Sequence, residues 1–131
     1  MLSTSRTLAV LSAAACTFVL ATAPASAAGT ALFLSKQGPG VESLIGLPKL
    51  ATLNCEPASG SHPAYDDACA VLAKADGDFN RIEPLHRLCT LQYSPVNAAV
   101  HGTWRGRQID WKATFPNDCA TASQTDMVFA F

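Results

Sequence analysis

Four cysteines, Cys55, Cys69, Cys89 and Cys119, follow an amino-terminal stretch with the layout of an export signal. Together they constrain the fold more than any other feature. Arg6 is the only charge near the start, an uncharged run extends from Thr7 to Ala23, and Ala25-Ser26-Ala27 supplies a small-residue cleavage pattern. The pattern predicts a signal peptide over residues 1–27 and a mature domain over 28–131. A membrane anchor is the competing reading. The run is alanine-rich, is broken at Pro24, and falls short of the roughly 20 strongly apolar residues that span a bilayer. Cys16 follows three alanines and is read as a bystander within the signal rather than a lipid attachment point. An even number of cysteines in a small exported domain predicts two disulfides. Four cysteines allow three pairings, and spacing does not choose among them. A sequential pairing would stabilise the fold by roughly 3–4 kcal/mol per bridge in the chain-entropy picture. Zinc is a poor alternative, because there is no C-x-x-C pair and no histidine at ligand spacing. No metal or cofactor is expected.

Beyond residue 27 the chain carries eight Lys/Arg and ten Asp/Glu, a formal charge of −2. That balance argues against tracking a phosphate backbone, so nucleic acid is not expected as a partner, and with no second apolar stretch after the signal neither is a membrane. The basic residues from Arg105 to Lys112 read as solvated positions on a hairpin.

Periodicity outlines the domain. Thr30 to Lys36 reads as a strand with Leu32 and Leu34 on one face, and Lys49 to Glu56 as a second with Leu50, Leu53 and Cys55 apolar. Residues 63–75 read as the main helix. Ser61 or His62 is placed to cap it, Pro63 suits the first position, and Asp66 and Asp67 favour the positive end of the dipole. Tyr65, Ala68, Cys69, Leu72 and Ala73 fall on one helical face. Val96 to Trp104 and Ile109 to Phe115 alternate about Arg105-Gly106, the pattern of a β-hairpin with one wet face. Met127 to Phe131 reads as a last strand. The sum is an α+β domain with one antiparallel sheet and one main helix.

Catalysis finds little support. His62, His86 and His101 lie on different elements, without a G-x-S-x-G or H-E-x-x-H context, and no catalytic residue is nominated. Asp76-x-Asp78-x-Asn80 begins like a calcium loop, but Arg81 stands where glycine belongs and Arg87 where glutamate closes it. The informative segment is Leu88-Cys89-Thr90-Leu91-Gln92-Tyr93-Ser94-Pro95-Val96. Leucine and tyrosine between a bridging cysteine and a proline make an unusual connector. One reading buries Leu91. The other makes the segment a substrate mimic: proteases take extended peptides through main-chain hydrogen bonds and seat one side chain in a primary pocket. A braced loop loses little entropy on binding and keeps its ends together if cut.

The mature chain resembles the Streptomyces subtilisin inhibitor family over nearly its whole length. The matching stretches are Ala31-Leu32-Phe33-Leu34, Thr52-Leu53-Asn54-Cys55, His62-Pro63 through Ala68-Cys69, and Gly77-Asp78-Phe79-Asn80. They continue with Cys89-x-x-x-Tyr93-x-Pro95-Val96, Gly102-x-Trp104-x-Gly106, Phe115-x-Asn117-x-Cys119 and Val128-Phe129-Ala130-Phe131. The resemblance implies sequential disulfides, a five-stranded antiparallel sheet packed by one main and one short helix, and a homodimer formed face to face through the sheet. It also implies inhibition of subtilisin-like proteases by a substrate-like mechanism. The scissile bond would be Leu91-Gln92, flanked by the contact residues Cys89, Thr90 and Tyr93. Leu91 suits the apolar pockets of subtilisin and chymotrypsin-like enzymes, not the carboxylate-bearing pocket of trypsin. Two positions depart from the common pattern: Thr90 replaces a frequent proline and Gln92 a frequent valine. His86 and Arg87 are placed to tune the edge of the contact. A secreted metalloprotease as target, or a binding module that inhibits nothing, are the alternatives.

Overall fold

The computed structural model describes residues 29–39 and 46–131. The expected signal peptide, its cleavage site and Cys16 lie outside the described residues. Four strands, β1 (Thr30–Gln37), β2 (Lys49–Cys55), β3 (Val96–Trp104) and β4 (Arg107–Phe115), form an antiparallel sheet in the order β2-β1-β3-β4. Helix α1 spans Tyr65–Lys74, a 3-10 turn follows at Phe79–Arg81, and α2 spans Asp118–Gln124. The predicted α+β class and both helices are present. Of the five strands expected, the described residues form four.

The tail accounts for the difference. Met127 to Phe131 alternates like a strand, but Asp126 and Met127 take positive φ values of 45° and 67°. The chain therefore turns, and Val128 N–H donates to Thr125 while Ala130 N–H donates to Met127. Val128 and Phe129 still fill the core, so their apolar character was a packing signal rather than a strand signal.

Strand alternation sets the inner face. Leu32, Leu34, Ala51, Leu53, Ala98, Val100 and Trp104 are buried beneath Ala68 and Leu72 of α1, Phe79 and Phe129. Leu50, expected among the apolar set of β2, points outward and is 71 % exposed, because the strand alternates on Ala51, Leu53 and Cys55. The β3–β4 turn matches expectation: Arg105 and Gly106 have φ of 46° and 80°, the doubly positive combination of a primed hairpin turn. Arg105 also donates to Glu56, and that bond raises its pKa above the ordinary arginine value. Gly77, at φ 71°, ends α1 where Trp104 packs; a Cβ there would lie 2.3 Å from the indole ring.

The start of α1 differs from the sequence reading. Its N-cap position is Ala64, without a side-chain cap. Ser61 is occupied with Thr52, whose N–H it accepts at 2.9 Å. His62 is buried, accepting Ala64 N–H at Nδ1 (3.0 Å) and donating from Nε2 to Val128 O (2.8 Å). Those partners require the neutral Nε2–H tautomer. On the helix, Ala68 and Leu72 are buried while Tyr65 and Ala73 face water.

Candidate functional site

After the 3-10 turn the chain runs without helix or strand until β3 begins at Val96. Main-chain bonds secure the two ends of this stretch: Leu85 N–H to Ser123 O and Ser94 N–H to Pro116 O, both 2.8 Å. Between them Leu88 and Leu91 are 100 % exposed and Tyr93 79 %. Burial, the competing account of Leu91, is therefore overturned. Three large apolar side chains stand in water within six residues, an exposure of the kind that marks interaction surfaces.

The loop is held from behind by one short stretch, Asn117-Asp118-Cys119. Cys119, in the first turn of α2, forms the disulfide to Cys89 with a Cα–Cα distance of 5.7 Å. Asn117 donates both amide protons forward, to Thr90 O at 3.1 Å and Gln92 O at 2.9 Å. Its Oδ1 accepts Ala120 N–H at 2.8 Å and so caps α2. All three contacts agree on the amide's orientation; a flipped amide would set oxygen against oxygen. The two gripped carbonyls sit on either side of the Leu91-Gln92 bond. Just past the end of β1, Gly38 packs against the loop's exit into β3, and a Cβ there would lie 2.3 Å from Pro95 O.

The nominated loop residues Cys89, Thr90, Leu91, Gln92 and Tyr93 thus form one continuous, solvent-facing segment. The second disulfide, Cys55–Cys69, ties the end of β2 to α1 and belongs to the scaffold. Both bridges follow the sequential pairing. The histidines do not converge: His62 is in the core, His86 on the exposed approach to the loop, and His101 on the outer sheet face beside Asp110. Two residues escaped the sequence reading. Leu88 was noticed only as part of the segment, although an apolar residue beside the cysteine was its signal. Asn117 was noticed only as a motif position, although a polar residue at fixed offset from a bracing cysteine was the cue.

Residues 28–117 match the subtilisin inhibitor-like family. Subtilisin inhibitor-like protein 2 of Streptomyces rochei is 38% identical over 113 residues, 84% of this chain and 100% of the relative. A probable subtilase-type protease inhibitor of Streptomyces avermitilis is 41% identical over 119 residues, 86% of this chain and 82% of the relative. Among solved structures, sermetstatin of Streptomyces caespitosus, in complex with Bacillus licheniformis subtilisin, is similar with a TM-score of 0.62 and 30% identity. The match covers 79% of this chain and 99% of that one. The two sequence relatives carry inhibitor names, and sermetstatin is seen bound to a subtilisin. By sequence and by fold, this chain belongs to the subtilisin inhibitor-like family.

Proposed function

We propose that the protein is a secreted, substrate-like inhibitor of subtilisin-like serine proteases, with Leu91 in the primary pocket and Leu91-Gln92 as the scissile bond. The observation that carries this is the pairing of a fully exposed Leu91 with a grip on both flanking carbonyls. The protease serine attacks the Leu91 carbonyl and expels the Gln92 amine. In a free peptide that amine diffuses away. Here the Cys89–Cys119 bridge restrains the Leu91 side, and Asn117 holds both Thr90 and Gln92. The amine stays beside the acyl carbonyl, and religation competes with water. An apolar pocket is the match for Leu91, so chymotrypsin-like enzymes are secondary targets.

Titration of subtilisin and trypsin with the purified secreted chain tests this, followed by mass analysis of the complex. Stoichiometric loss of subtilisin activity, with any slow cut confined to Leu91-Gln92, is expected. No inhibition of subtilisin would turn the reading toward a metalloprotease target or a non-inhibitory module.

Asn117→Ala should keep initial binding but speed hydrolysis of the bound loop. Two lost hydrogen bonds at about 1 kcal/mol each correspond to roughly 10–30-fold in rate. The check is the rate at which the Leu91-Gln92 bond is cut in the complex, followed by mass.

Association into a homodimer fits the outer face of the sheet. Phe33 on β1 is 63 % exposed and Leu50 on the neighbouring β2 71 %, and together they line one apolar depression with Thr52. A second copy laid face to face would cover both. Phe33→Asp should then give a monomer by sedimentation while subtilisin inhibition persists; a wild-type monomer at micromolar concentration would exclude the dimer.

A further inference from the structure

Lys36 is the one Lys, Arg, Asp or Glu residue that is buried among the described residues, at 2 % exposure. It occupies an inward-facing position of β1, two residues after Leu34, where the strand's alternation calls for an apolar side chain. Its Nζ reaches Asp118 Oδ1 at 2.7 Å and lies 5.3 Å from the centre of the Phe131 ring. Asp118 stands between Asn117, which grips the carbonyls of Thr90 and Gln92, and Cys119, which bridges to Cys89. Gly38, two residues beyond Lys36, is the glycine that closes on Pro95.

Stability alone does not account for such a pair. A buried ammonium loses hydration, and its half-exposed partner is screened by water, so the pair adds little net stability. What an apolar side chain cannot do is fix the stretch 117–119 in register with the sheet through a directional bond. We propose that Lys36 is a positioning residue for the loop. Through Asp118 it holds the Asn117–Cys119 support in place, and with it the Leu91-Gln92 bond. The proposal deepens the inhibitory reading and rests on it.

The test compares the wild-type chain with Lys36→Met, Asp118→Ala, which removes the acceptor, and the double variant. Three quantities are read: the rate at which bound subtilisin hydrolyses Leu91-Gln92, the amide order parameters of Leu91 and Gln92, and the thermal midpoint. Lys36→Met should keep a midpoint near wild type yet be hydrolysed roughly tenfold faster, since small misplacements at a reacting centre carry large rate effects. Its loop amides should fall below the rigid-backbone value of about 0.85. The double variant should be no worse than Lys36→Met, because both changes break one bond. Val71→Ala, on α1 away from the loop, should lower the midpoint without changing hydrolysis. If Lys36→Met does not fold, Asp118→Ala, at a half-exposed position, decides by the same readouts. Wild-type hydrolysis and wild-type loop amides in the folded variants would overturn the proposal. If the wild-type chain leaves subtilisin active, the inhibitory reading fails on its own, and the order parameters still decide whether Lys36 positions the loop.

Discussion

Leu91→Lys is expected to convert the protein into a trypsin inhibitor, strengthening trypsin inhibition by at least about a thousandfold, the scale on which single anchor residues act. Trypsin's primary pocket ends in a carboxylate, and an apolar side chain leaves that charge desolvated without a partner. Lysine supplies the partner. Subtilisin's apolar pocket should tolerate lysine less well, weakening that inhibition. The substitution costs the fold nothing, because Leu91 makes no burial contribution to lose. Inhibition constants for both enzymes, with the thermal midpoint as control, check the expectation. Unchanged constants would mean that another residue occupies the pocket.

Replacing Cys89 and Cys119 together with serine should turn the inhibitor into a substrate. The bridge closes a separation of 30 residues, and its loss should lower stability by about 2–4 kcal/mol. The larger consequence is local. Without the bridge, Asn117 alone links the two sides of the cut, and the amine can escape. Subtilisin should regain full activity as the loop is consumed. Cys55→Ser with Cys69→Ser is the informative companion, since that bridge ties β2 to α1. It should lower the midpoint and leave the loop's resistance intact. Lasting stoichiometric inhibition by the Cys89/Cys119 variant would remove the bridge from the mechanism.

Much of this was legible in the chain. The alternation of Val96 to Phe115 about Arg105-Gly106 gave the hairpin, because a period of two with a primed turn has few other solutions. The spacing of Ala68 and Leu72 marked the inner face of α1. The loop stood out because leucine and tyrosine lie between a cysteine and a proline, and the family resemblance chose between burial and display of Leu91. The misses share a physical cause, which is that composition reports burial better than backbone direction. Val128 and Phe129 are core residues on a turn, and Leu50 is apolar on an outward face. Lys36 is the converse, a charge placed inside because Asp118, 82 residues away in sequence, waits there. No local pattern carries a partnership of that range. Asn117 escaped for the same reason, since its role depends on the loop lying across it.

Leu88, Leu91 and Tyr93 stand in solvent, while Asn117 and Cys119, which hold the backbone around them, lie outside the exposed segment. Substitutions at such exposed positions usually change stability by no more than about 0.5 kcal/mol. Selection can therefore rewrite the presented side chains one at a time without passing through unfolded intermediates. A host facing a new protease needs a new recognition residue, not a new protein. The bracing stretch has no such freedom, because Asn117 and Cys119 each serve the loop and α2 at once. Divergence among descendants of this chain should accordingly gather at the tip and spare its support.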